Sequence, residues 1–200
     1  LLWQEYLAAN PGGYQYSQFC ERYHQYRDRL SPIMRQVHRA GEKSFVDFAG
    51  KKPKVVDPKT GEIRGVELFV GVLGASSYIF AEAAERQDLE SWIGLNVGML
   101  EFFGGATSIL VPDNLKAGVT GPCRYEAEVN RTYEDMAAHY GAAVIPARAY
   151  KPRDKAKVEV SVLLAERWIL ASLRNRTFFS LGELNEAIRQ KVGELNGRVM

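Results

Sequence analysis

Apolar residues recur along this chain with two rhythms, a helical one at each end and an extended one between them. Leu2, Trp3, Tyr6 and Leu7 fall at helical spacing, and Asn10, Pro11, Gly12 and Gly13 interrupt it. Ser17 is placed to cap a second helix bearing Phe19, Tyr23, Tyr26 and Leu30, which Ser31 and Pro32 end. Two short helices about a Gly-rich turn fit either the tail of a helix-turn-helix DNA-binding unit or a plain helical lead-in, and both readings stay open. From Ser44 the rhythm shortens. SFVDFAG is a β-prone run with Asp47 inside it, and KKPKVVDPKTGEIRG sets Asp57, Pro58 and Gly61 between two extended arms, which predicts a hairpin. VELFVGVLGAS and SYIFAEAAE follow, and together these runs predict three antiparallel strands.

The helical rhythm then returns in alternation with short strands. Asp88 is placed to cap a helix with Leu89, Trp92, Ile93, Val97, Leu100 and Phe103 on one broad face, stopped by Gly104 and Gly105. TSILVPDN reads as a buried strand ending at Asp113, residues 115–129 are weakly patterned and partly loop, and Asn130 caps a helix that stops at Gly141. AAVIP is a further strand, RAYKPRD a connector, and a helix runs from about Lys155 to Leu173. Ser180 with Glu183 forms a capping box that opens a last amphipathic helix through Leu184, Ile188 and Val192. Strand, strand, strand, helix, strand, helix, strand, helix is the order of an α/β protein, a mixed sheet covered by helices.

Composition narrows the setting. With 200 residues, 46% of them hydrophobic and 25% charged, the chain suits one main domain with flanking structure. The expected division is a helical lead-in over 1–40, a core over 41–175, and a helical extension over 176–200 toward a missing C-terminal region. A start inside a helical pattern without an initiator Met fits a piece of a longer protein. Two cysteines, Cys20 and Cys123, suit a reducing compartment, and the chain shows neither a signal-peptide pattern nor an apolar run of about 20 residues, so a cytoplasmic location is expected. The net charge of +2 is too small to argue nucleic-acid binding by itself. Its distribution says more: Lys151, Arg153, Lys155 and Lys157 run straight into Glu159 and an apolar segment, so cationic charge meets a carboxylate at a helix start.

Three carboxylates stand at element ends: Asp47 in the first strand, Asp113 at the end of the fourth, and Glu159 near the start of the long helix. An acid there is ordinarily a cap or a solvated group, and the chain has 24 Asp and Glu residues, so spacing alone selects none of them. Their settings do. Asp47 is flanked by Phe45, Val46 and Phe48, Asp113 follows Ile109, Leu110 and Val111, and Glu159 lies between Val158 and Val160 in a helix apolar on most sides. Acids embedded this way need partners or a metal. Carboxylates converging from separate elements suit hard divalent cations that act on a phosphodiester. Asp154 is the rival third acid, but it looks more like the helix N-cap. Cys20 and His24 share a helix face without a second ligand pair at zinc spacing, and Gly104 with Gly105 is no phosphate-binding loop, so neither zinc nor ATP hydrolysis is expected.

The strings SFVDFAG, VPDNLKAGV, YKPRDKAKVE and ERWILASLRNRTFFSLGELN resemble the catalytic region of IstA-type insertion-sequence transposases and, more distantly, DDE integrases, over nearly the whole chain. The resemblance implies a ribonuclease-H-like fold and a DDE triad at Asp47, Asp113 and Glu159, holding two Mg²⁺ ions with Mn²⁺ as a substitute. It implies DNA 3′-end cleavage and strand transfer, transposon ends and target DNA as substrates, a helper AAA+ ATPase of the IstB kind, and a homodimer or larger active complex. The protein would then associate with the nucleoid when acting. Lys151, Arg153, Lys155 and Lys157 are the candidate phosphate contacts, joined by Asn114 and Lys116 beside the second acid. Two other readings remain: a nuclease of the same fold that cuts without joining, and a non-catalytic DNA-bridging or dimerisation module whose acids are structural.

Overall fold

SFVDFAG supplies the strand on which the rest is built, β1 (Lys43–Phe48), in a computed structural model that describes residues 2–29, 38–112, 119–121, 128–147 and 152–198. Contacts divide the chain into two units, 1–37 and 38–200. In the first, α1 (Leu2–Ala9) and α2 (Tyr16–Arg29) join through aromatic packing: Tyr6 stacks on Tyr14 at 6.1 Å and meets Phe19 at 5.1 Å. A Cβ at Gly13 would sit 2.6 Å from the Tyr6 ring, so any other residue there obliges that ring to shift. The second helix starts one residue before Ser17, which therefore lies in its first turn and is not its cap.

In the second unit β2 (Lys54–Val56) and β3 (Ile63–Gly65) form the expected hairpin as a separate two-stranded sheet. Its turn is held by Asp57, whose Oδ1 accepts from the N–H groups of Lys59 and Thr60, and by Gly61 at φ 72°. These N–H groups also hold the Asp57 carboxyl below its usual range. β4 (Glu67–Leu73) pairs antiparallel with β1 on one side and with β5 (Ile79–Ala84) on the other. After α3 (Leu89–Phe103), β6 (Ile109–Pro112) runs parallel to β1 on its second side. A small pair, β7 (Val119–Gly121) and β8 (Glu128–Val129), stands in the weakly patterned stretch expected to be partly loop. Then α4 (Arg131–His139) leads to β9 (Ala143–Val144), parallel to β6. The five-stranded order is β5-β4-β1-β6-β9: the three antiparallel strands and two further strands that the sequence predicts, the last two running parallel to β1.

The pleat of β1 sorts its side chains between two apolar layers. Val46 and Phe48 join Phe69, Trp92, Met99, Leu110 and Tyr133 under α3 and α4. Phe45 and Ala49 join Leu68, Val70 and Val72 on the opposite face. That face is covered by one long helical run: α5 (Pro152–Ala165), a π segment (Glu166–Leu170) and α6 (Ala171–Leu173). It is covered further by α7 (Leu181–Asn196), capped by Ser180 as predicted. Within α7, Leu184, Ala187, Ile188 and Val192 are buried in the same layer as β4.

The long helix starts at Pro152, three residues earlier than expected, with proline at a position where its missing N–H costs nothing. Asp154, read as the cap, lies within the first turn. Arg153, read as connector, is helical too.

Candidate functional site

Asp47 interrupts a strand whose neighbours are buried: Val46 is fully covered and Phe48 nearly so, whereas Asp47 itself is half-buried. It alternates with Phe45 and Ala49, so the pleat directs it to the face covered by the long helix. Its Oδ1 accepts the Phe48 N–H at 2.8 Å. Phe48 is wedged edge-on against Phe69 (5.7 Å) and tilted against Trp92 (5.6 Å), so the backbone beside the carboxylate is anchored in the core beneath.

The neighbouring strand ends at the same level. Parallel pairing matches Phe45 with Val111 and Val46 with Pro112, the last residue of β6. Asp113, Asn114, Lys116 and Lys151 lie outside the described residues. Arg153, Lys155 and Lys157 fall on the backbone of α5.

The helix packs on β1 and β4. Ser161 and Ala165 are buried beneath it, while Val160 and Leu163 are 56% and 49% exposed. Glu159 is exposed, which corrects the expectation of a carboxylate inside a helix apolar on most sides: the valines around it do not bury it. On an α-helix, positions seven apart differ by only about 20°, so Glu159 shares its face with Glu166. Glu166 shows where that face looks. Its side chain is 11% exposed, and it accepts the Lys51 N–H at 3.2 Å and pairs with the Lys51 ammonium at 3.6 Å, four residues past Asp47. Glu166 was not singled out in the sequence. The signal available was the heptad spacing from Glu159.

Lys51 opens a short basic run, Lys51, Lys52 and Lys54, that leads into the first arm of the hairpin. Lys52 pairs with Glu67, a buried carboxylate that also accepts from Gln87 Nε2 at 2.9 Å. Among the described residues no three His, Cys, Asp or Glu side chains are grouped to hold a metal ion. Asp47 and Glu159 are the two described members of the expected trio. Their all-carboxylate chemistry fits a hard, oxygen-seeking divalent cation and does not fit a soft one. Among the described residues no helix is long and apolar enough to cross a membrane.

No family model matches the chain. It is 51% identical over 98% of its length to a putative transposase (y4uI) of Sinorhizobium fredii, and 49% identical over 99% to a putative transposase for insertion sequence IS408 of Burkholderia multivorans. It spans 38% and 39% of those relatives' lengths. Among solved structures, the HTLV-2 integrase catalytic core in complex with magnesium superposes with a TM-score of 0.57 at 14% identity, covering 80% of this chain and 90% of that one. The shared fold is the ribonuclease-H-like mixed sheet.

Proposed function

The chain belongs to the insertion-sequence transposases, as a segment of their length, and we propose that it is the DNA-cleaving and strand-transferring core, with Asp47, Asp113 and Glu159 as its metal-holding acids. One observation carries the reading: the parallel register that sets Val46 beside Pro112. Asp47 directly follows Val46 in the chain as Asp113 directly follows Pro112, and Asp47 shares with Phe45 the face that α5 covers, which supports pairing the two acids. Glu159 stands on that helix seven residues before Glu166, which bonds Lys51 just past β1, and this supports assigning Glu159 as the third acid.

The residues divide the work. The Phe48 N–H orients Asp47, and the aromatic layer below keeps β1 from shifting when charge gathers above it. Three carboxylates would hold two Mg²⁺ ions, or Mn²⁺ in their place, which supply charge neutralisation at the phosphate and lower the pKa of the attacking hydroxyl. In the first reaction water opens the P–O bond at the transposon's 3′ end. In the second the freed 3′-hydroxyl oxygen forms a bond to a target phosphorus, and the target's own 3′ oxygen leaves as a hydroxyl, taking up one proton for the one the attacking hydroxyl gives up. Exposure of Glu159 suits this role, since DNA has to reach it. Lys151, Arg153, Lys155, Lys157, Asn114 and Lys116 are assigned to phosphates on either side, with transposon ends and target as substrates. A dimer or larger assembly and a helper AAA+ ATPase complete the proposed machine.

The test is a joining assay with labelled terminal-repeat duplex, target duplex and Mg²⁺, beside calorimetric titration of Mn²⁺ into the protein. Asp47→Asn should lower joining by at least about 10³-fold, because several kcal/mol of charge stabilisation goes with the ligand. It should also weaken Mn²⁺ binding while leaving the melting temperature near wild type. Joining at the wild-type rate in that variant would sink the triad. Cut but unjoined product from the wild type identifies a nuclease, and DNA binding with neither product identifies a bridging module.

A further inference from the structure

Resting on that reading, we propose that the groove between the loop after β1, the β2–β3 hairpin and the α6–α7 connection seats a stretch of DNA sugar-phosphate backbone leading away from the acids. The groove encloses about 480 Å³, and five cations line it: Lys51, Lys52, Lys54, Arg174 and Arg176. Two of these are compensated, Lys51 by Glu166 and Lys52 by Glu67. Among the described residues Lys54, Arg174 and Arg176 have no carboxylate within ion-pair distance, and all three are exposed.

Both arginines are held in place without being neutralised. Arg174 Nη1 donates to the Ala171 carbonyl at 2.6 Å, and the Arg176 guanidinium lies 5.0 Å from the centre of the Phe178 ring. A guanidinium held by one carbonyl, like Arg174, or by an aromatic ring, like Arg176, keeps further N–H donors for another acceptor. That suits the fixed fork geometry of a phosphodiester better than a mobile counter-ion. Phe178, almost fully buried, forms part of the groove's apolar floor and anchors Arg176 from below.

Position selects DNA over another polyanion. Glu166, at the groove's edge, lies seven residues from Glu159 on one helix, about 10 Å at 1.5 Å per residue. At about 3.4 Å per nucleotide along one strand, that is roughly three nucleotides. A backbone that reaches the acids and continues along the helix therefore enters this cationic groove. An acidic protein segment would find the same charge but has no reason to lie in line with the acids.

The experiment is binding of a fluorescent random-sequence duplex to the purified chain by anisotropy, across a salt series, for wild type, the double variant Lys54→Gln/Arg174→Gln, and Arg174→Lys. Each phosphate contact contributes about 0.9 to the slope of log affinity against log salt. The double variant should therefore flatten the slope by about 1.8 and weaken binding about 60-fold at 0.1 M salt, uniformly over sequences. Arg174→Lys should keep most of the slope, and equal melting temperatures would exclude misfolding. An unchanged slope in the double variant overturns the proposal. So does an unchanged slope accompanied by lost binding of poly-L-glutamate, which would assign the groove to an acidic protein. Neither outcome touches the triad, which the Asp47→Asn joining assay decides separately.

Discussion

Tyr133 shows at the residue scale how far a chemical role depends on contacts no local pattern reveals. Its ring is fully buried on α4 at 5.6 Å from Trp92, and its hydroxyl donates to Asn96 Oδ1 at 3.2 Å, while Asn96 Nδ2 donates to the Trp92 carbonyl at 2.8 Å. A polar thread thus ties α4 to α3 inside an apolar layer. Burial pushes the phenol above its ordinary value of 10.0, since the charged form would be stranded there. A proton held more tightly in the folded state stabilises fully below pH 10, and that contribution is lost as pH rises through the folded-state pKa. Stability measured by urea unfolding should therefore fall above pH 10 in the wild type, and this part of the fall should be missing in Tyr133→Phe. At neutral pH the same variant should cost about 1 to 3 kcal/mol, because Asn96 Oδ1 is left buried without its donor. The sequence marks Trp92 as a core residue by its helical spacing, and nothing in it pairs Tyr133 with Asn96. Asp47 is the contrary case: a carboxylate inside SFVDFAG announces itself, and only the direction it faces had to come from the sheet.

Elements were legible where periodicity or caps marked them. Asp88, Asn130 and Ser180 each accept an N–H from the first turn of the helix they open, as their positions predicted. The Ser91 groups that reach Asp88 also hold its carboxyl below the usual range. What periodicity could not show is the π segment at Glu166–Leu170, because ERWIL continues an apolar helical pattern without Gly or Pro. The extra residue in this turn falls where Glu166 reaches across to Lys51, consistent with π turns occurring at sites that make special contacts. Glu166→Ala removes the acceptor of a backbone N–H and should cost about 1 to 3 kcal/mol. Glu166→Gln keeps an acceptor and loses only the pairing with Lys51, whose side chain is 74% exposed, so its cost should stay below about 1 kcal/mol. Denaturant midpoints for the two variants check this, and equal losses would show that the charge, and not the tether to β1, is what Glu166 contributes.

For the whole molecule, the alternation of elements was enough to reach an α/β sheet, and the resemblance was enough to reach its topology. The packing of α7 was not legible, because the capping box at Ser180 looks the same whether it opens an appendage or a core helix; it shows only in long-range contacts. β5 is one of the two edge strands, and α7 shields it by two reciprocal pairs of bonds: Asn185 contacts the N–H and C=O of Ala83 at 2.7 and 2.9 Å, and Asn196 does the same for Ile79 at 2.9 and 2.7 Å. These satisfy groups that an unpaired edge would offer to another chain. Beneath them α7 buries Leu184, Ile188 and Val192, each worth about 1.5 to 3 kcal/mol. The sum, about 5 to 9 kcal/mol, rivals the whole stability of an ordinary domain, about 5 to 15 kcal/mol. A chain ended after Thr177 should therefore lose its cooperative thermal transition and self-associate in sedimentation. The double variant Asn185→Ala/Asn196→Ala, which keeps the apolar face, should still unfold cooperatively at a lower temperature. A truncated chain that melts cooperatively as a monomer would show that the core closes without α7 and that the helix is an appendage after all.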